Sequence, residues 1–238
     1  MIGKLCFILS SQRLAPAASL LLVHGAGSGP WVFDSWATAF PDLVVEAVDL
    51  HDGLDVASAT MNDYAASVVD SACRLPRPLA LVGWSMGGLV ALLAAPTIRP
   101  ATIVLLEASA PAEVQGRSAA ELAPGTFDPE AEYGPFPPGV RARPESRLAR
   151  CERKRGISVP TSPCPVIVVA GSEFPEERGT RIADLYHGRL LSFPHLDHFG
   201  LVLDPAPRTA VAEALRGAAR SSPSLSGTVR MSRPGGSP

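Results

Sequence analysis

Five apolar runs of strand length constrain this chain more than any other feature: residues 19–23, 43–50, 79–84, 103–106 and 165–170. Each is too short to cross a membrane and too continuous for a strand with one wet face, so each reads as a strand buried on both sides. Stretches with helical character lie between them, at 31–40, 63–75, 86–95 and 178–186. Strands alternating with helices build βαβ units, which predict a parallel sheet covered on both faces, a doubly wound α/β fold. Residues 190–193 read as the last strand and 2–9 as the first.

With 46% of its residues apolar and 18% charged, the 238-residue chain can fill one large core. A net charge of −2 without a long basic block argues against a nucleic-acid partner, and no apolar run is long enough for a membrane partner. Residues 1–9 carry one positive charge and no small-residue cleavage site, so they read as a strand rather than a secretory signal, and the expected location is cytoplasmic. Cys6, Cys73, Cys151 and Cys164 form no CxxC pair, which implies neither a zinc site nor a disulfide framework. No metal or organic cofactor is implied, and the oligomeric state is not readable. One stretch interrupts the alternation. Residues 111–163 are rich in Pro, Gly and charge, with a helical candidate at 145–155, and are expected to form a small cap over the carboxyl edge of the sheet. The α/β domain is expected to span 1–216, and the Pro/Gly/Ser-biased 217–238 a disordered tail.

The chemistry begins at Gly83-Trp84-Ser85-Met86-Gly87, a G-x-S-x-G placed between an apolar strand and an apolar helix. A serine on so sharp a turn needs small neighbours, and the turn lifts its Oγ above the sheet at a helix N-terminus. Ser85 is the candidate nucleophile. The competing reading, a serine that only caps the helix, does not require this strand-to-helix context. Upstream, His24-Gly25-Ala26-Gly27-Ser28-Gly29 follows a strand and can complete an oxyanion hole, with the amides of Met86 and of Ala26 or Gly27 as donors. It lacks the spacing of a phosphate-cradling loop. His24 reads as a residue that holds this loop.

The base must come from the same sheet edge, and His198, after the last strand and before the final helix, fits. His195 is its confusable neighbour, while His51 and His187 read as surface residues. An acid is needed to orient the imidazole. Two carboxylates compete for that role: Glu107, ending an apolar strand where a lone charge would be costly, and Glu173, in Gly171-Ser172-Glu173-Phe174. Glu107 is preferred, and Asp197 stands third.

These residues, in this order, resemble the α/β-hydrolase superfamily, and the likeness covers most of the chain. It looks closest to small, cofactor-free, esterase-like bacterial members. In that family an aspartate is usual at the position where this chain has Phe174. An acid after the earlier strand is similar to the arrangement in some haloalkane dehalogenases, whose chemistry needs an aspartate where this chain has Ser85. The resemblance implies a serine hydrolase acting on an ester, thioester or lactone of a small apolar, acyl-containing substrate. Gly25, Trp31, Trp84 and Phe136 are expected to line its pocket, although core packing explains Trp84 equally well. Two other readings stay open: a non-hydrolytic lyase or cyclase on the same scaffold, and a catalytically silent small-ligand-binding protein.

Overall fold

The computed structural model describes residues 17–220, so the expected first strand at 2–9 and the tail beyond Arg220 lie outside it. Its centre is a six-stranded sheet, built from β1 (Ser19–Val23), β2 (Val44–Val48), β3 (Leu79–Trp84), β4 (Thr102–Leu106), β7 (Val166–Ala170) and β8 (Arg189–Ser192). The order is β2-β1-β3-β4-β7-β8, with every pairing parallel. The four inner strands are wholly buried, which is why they read as unbroken apolar runs. The outer two are half-open and their sequences more mixed.

Side-chain alternation divides the core into two layers. Leu21, Val23, Leu79, Leu81, Ile103, Leu105, Val166 and Val168 face α1 (Met61–Cys73), α2 (Met86–Ile98) and α6 (Arg181–Tyr186). Leu20, Leu22, Ala80, Val82, Val104, Leu106, Ile167 and Val169 face Val32, Phe33 and Trp36, with α7 (Gly200–Leu203) and α8 (Pro205–Arg220). At roughly 1.5–3 kcal/mol for each fully buried aliphatic side chain, these layers are the dominant favourable contribution to folding.

Local chemistry sets the boundaries. A capping box between Thr60 and Asp63 starts α1 two residues earlier than its apolar pattern predicts. The stretch 31–40 is not one helix but two 3₁₀ turns, Pro30–Phe33 and Ala37–Ala39. It is anchored by the Trp36 indole, whose Nε1–H donates to Val202 O at 2.8 Å, so tertiary packing overrides the local helical pattern. The stretch 178–186 opens as a π turn, Pro175–Thr180, before becoming α6. The last helix continues past residue 216, the expected end of the domain, to Arg220.

The insertion at 111–163 carries α3 (Ala112–Gln115), the two-residue ladder β5 (Thr126–Phe127) with β6 (Glu145–Ser146), α4 (Pro129–Tyr133) and α5 (Arg147–Arg155). It returns over the carboxyl edge: Arg143 N–H donates to Gly27 O at 2.8 Å, and Phe136 packs 4.8 Å from Phe199. Among the described residues no helix is long and apolar enough to cross a membrane.

Candidate active site

Ser85 stands between β3 and α2 with φ 55° and ψ −123°, a strained conformation for a residue with a Cβ. The surrounding glycines explain why the turn can form. A Cβ on Gly83 would lie 2.4 Å from Gly87 O, and one on Gly87 2.2 Å from Val23 O. Backbone bonds fix the elbow to the neighbouring strand, from Ser85 N to Leu106 O (3.0 Å) and from Ser109 N to Ser85 O (2.8 Å). The serine is partly exposed, and its Oγ has no hydrogen-bond partner among the described residues. Such bonds commonly tighten only once substrate is bound.

The second carboxyl-edge group is Glu107, directly after β4 and fully buried, with φ 41°. Its Oε2 lies 2.6 Å from His198 Nδ1, while Oε1 accepts from Gly171 N–H (3.1 Å) and Phe174 N–H (3.4 Å). Burial by itself raises this carboxyl's pKa, but the His198 hydrogen bond and charge, with the two amides, outweigh it and hold the group below its ordinary value. Glu173 is exposed and accepts from the backbone N–H of His198 at 3.1 Å, so it touches the base loop and not the imidazole. Asp197 bonds Gly200 N–H, at the start of α7.

His198 is held from below by Trp84. The indole Nε1–H donates to His198 O at 3.0 Å, and the two rings are 5.0 Å apart. At 2% exposure, Trp84 is a floor under the base rather than an open pocket wall. Phe136 reaches the same place through Phe199, which lies 5.1 Å from Trp84. Gly25 also belongs here, because a Cβ on it would lie 2.8 Å from the Trp84 ring and 3.0 Å from Ser85 Cβ. Trp31 is elsewhere engaged: its N–H donates to Arg141 O, and the Arg141 guanidinium lies 3.9 Å over its ring. His195 and His187 are exposed.

The sequence gives no local sign of a polar network that holds the oxyanion loop from behind. Glu145, fully buried in β6, accepts from Gly27 N–H (2.9 Å), His51 Nε2 (3.3 Å), Tyr64 Oη (2.5 Å) and Ser146 N–H (2.7 Å). Burial works against its ionisation, yet His51, Tyr64 and Gly27 together bring its pKa down to about 2. His51, expected at the surface, is instead half-buried, stacked 5.9 Å from Tyr64 and paired with Glu145. Arg143 spans Ser28 O (2.7 Å) and both Asp49 oxygens (2.5 and 3.0 Å). His24 accepts at Nε2 from Leu50 N–H (3.1 Å), is close to Gly25 O through Nδ1 (2.9 Å), and is kept neutral chiefly by burial. These side chains come from far apart in the chain, so only the folded insertion reveals them.

The network also distinguishes the amides of the loop. Gly27 N–H is taken by Glu145, whereas the amides of Ala26 and Met86 have no acceptor among the described residues. The arrangement therefore brings to one edge of the sheet a hydroxyl on a strained turn, an imidazole paired with a carboxylate and two amides without acceptors among the described residues. Among the described residues no group of three or more His, Cys, Asp or Glu side chains is placed to hold a metal ion.

Residues 20–214 match the family model described as "Alpha/beta hydrolase family". No curated protein matches the sequence. Solved structures with the same fold include polyneuridine aldehyde esterase, 17% identical over 84% of this chain and 98% of that one, with TM-score 0.58. A pyrethroid hydrolase, PytH, is 18% identical over 86% and 98%, with TM-score 0.61. RedJ is 21% identical over 88% and 94%, with TM-score 0.56. At these identities the likeness carries the architecture alone.

Proposed function

Because the chain belongs to the alpha/beta hydrolase family, we propose that it is a serine hydrolase that cleaves an ester, thioester or lactone through an acyl-enzyme. The observation that carries this reading is the 2.6 Å contact between Glu107 and His198, at the edge where the strained elbow exposes Ser85.

In this reading Ser85 Oγ adds to the substrate carbonyl carbon while His198 Nε2 removes its proton. Glu107 stays ionised, fixes the tautomer that leaves Nε2 free, and stabilises the imidazolium. The Ala26 and Met86 amides receive the negative charge that develops on the carbonyl oxygen. The intermediate collapses as His198 returns the proton to the leaving alcohol or thiol. Water then repeats the two proton transfers and frees the acid and Ser85. Phe136 and Phe199 supply an apolar wall beside His198 for the substrate's hydrocarbon part.

The test is hydrolysis of short-chain p-nitrophenyl esters by wild type and Ser85→Ala, with mass spectrometry after a fluorophosphonate probe. Turnover that vanishes in Ser85→Ala, with one label on Ser85, is the expected result. Turnover retained by Ser85→Ala but lost in His198→Ala would instead indicate proton-transfer chemistry without an acyl-enzyme. Absence of both turnover and label would move the search to ligand binding.

A further inference from the structure

Arg153 of the insertion and Arg178 of the segment after β7 approach the reacting edge with no ion-pair partner among the described residues. Arg153, on α5, brings one guanidinium nitrogen 3.4 Å from Ser109 Oγ and the other 3.4 Å from Tyr133 Oη, both long contacts that tie it down weakly. Ser109 is the residue whose amide holds Ser85 O, so Arg153 stands one side chain away from the elbow. Arg178, in the π turn, lies with its guanidinium carbon 3.9 Å over the Phe174 ring. Phe174 in turn faces His198 at 6.3 Å and gives its amide to Glu107. Half-burial of Arg178 lowers its pKa and the nearby charge of Arg153 adds to that effect, while the charges of Glu177, Glu107 and Glu173 oppose it without coming within ion-pair distance.

The partners of these arginines are incomplete. The Nε atoms of Arg150, Arg153 and Arg178 are all buried with no hydrogen-bond partner among the described residues. Glu132 pairs with Arg150 and Lys154, and among the described residues it is the only carboxylate that α5 engages in ion pairs. Among the described residues neither Arg153 nor Arg178 has an ion-pair partner. Both side chains are half-buried and of like charge, with no carboxylate in ion-pair contact among the described residues, and a bidentate oxyanion is the group whose geometry matches their planar forks.

We propose that Arg153 and Arg178 form a subsite for an anionic oxyacid group of the substrate, a carboxylate or a phosphate, beside Ser85. The substrate is then an amphiphile, with its hydrocarbon part against Phe136 and Phe199 and its charged end under the insertion. The position of the scissile carbonyl rests on the serine-hydrolase reading above. The binding of an anion does not.

The experiment separates the two. Ser85→Ala protein is titrated calorimetrically with glutarate, propyl phosphate and, as a neutral control, 1,5-pentanediol. One of the anions is expected to bind and the diol not, and whichever binds identifies carboxylate or phosphate as the substrate's charge. Adding Arg153→Gln or Arg178→Gln should weaken that binding by about tenfold each. Arg153→Lys, which keeps the charge and loses the planar fork, should weaken it by about threefold and carries the test if the Gln variant does not fold. In the active protein, p-nitrophenyl hydrogen glutarate should exceed p-nitrophenyl valerate in kcat/KM by about tenfold, a ratio that Arg153→Gln brings towards one. Failure of both anions to bind, or binding indifferent to the arginine substitutions, overturns the proposal. Anion binding that depends on Arg153, in a protein that neither hydrolyses esters nor labels at Ser85, upholds the subsite and removes the hydrolase reading.

Discussion

Replacing Glu107 by glutamine tests the centre of the proposed mechanism without changing its shape. The carboxylate is fully buried and uses both oxygens: Oε1 accepts from Gly171 and Phe174, and Oε2 meets His198 Nδ1 at 2.6 Å. A glutamine must keep its carbonyl oxygen towards the two amides, because they can only donate. Its NH₂ is thereby turned to His198, where it requires Nδ1 as an acceptor and so places the ring proton on Nε2, the nitrogen that the proposed mechanism needs as the base. The base is then in the wrong tautomer, and the stabilised imidazolium is lost as well. A defect of this kind costs about 1,000- to 10,000-fold in kcat, equivalent to about 4–5.5 kcal/mol of transition-state stabilisation. The fold should survive, since every amide keeps an acceptor, and the melting temperature should move by only a few degrees. Ester hydrolysis under saturating substrate, with a thermal melt of the same preparation, measures both. A Glu107→Gln enzyme retaining more than about a tenth of wild-type kcat would refute the assignment, because so small a loss is incompatible with a tautomer reversal.

Four further outcomes follow from the same geometry. Glu173→Gln should lower kcat by no more than about threefold, as its carboxylate meets only the exposed amide of His198, and kcat at saturation measures it. Glu145, whose pKa falls from an ordinary 4.5 to about 2 on folding, contributes stability that is complete above the unfolded value and fades as pH falls from 4.5 through 2. Urea titrations at neutral pH and at about pH 3.5 should show wild type losing roughly 1.5 kcal/mol more than Glu145→Gln, and parallel losses would remove Glu145 from the account. Gly25→Ala should cost about 1–3 kcal/mol of stability and at least about tenfold in kcat, because the new Cβ meets the Trp84 ring at 2.8 Å and Ser85 Cβ at 3.0 Å. Trp84→Phe deletes the indole bond to His198 O and should slow turnover by about tenfold with little change in KM, a loosened base rather than a lost pocket.

The parts legible in the sequence are those whose physics is local. Ser85 is visible because its strained turn needs Gly83 and Gly87 beside it, and His198 because it ends a loop in a fixed place in the strand order. The sequence favours Glu107 over Glu173 only through the cost of a lone charge ending an apolar strand, since both follow strands at the same edge. Adjacency and side-chain direction separate them, placing Glu107 at the ring and Glu173 at the backbone. The network around Glu145 draws on Asp49, His51, Tyr64 and Arg143, which meet only when the insertion folds back. The same event half-buries His51, a residue whose polar neighbourhood in sequence suggests solvent. In 31–40, by contrast, the local pattern loses to a single tertiary anchor, Trp36.

The seat of Glu107 after β4 has a consequence for how such an enzyme can change. Ser85 and Glu107, the proposed nucleophile and acid, ride on neighbouring strands, joined at the elbow by the Ser85–Leu106 and Ser109–Ser85 backbone bonds. The spacing between them is inherited from the sheet and does not rely on any loop keeping its length. The turn after β7 contributes amides to Glu107 but no acid of its own, so Phe174 and the π turn behind it are released from proton chemistry. Residues there can drift towards new substrates while the reacting groups stay in register, which gives an evolving lineage or a protein engineer a place to alter selectivity first.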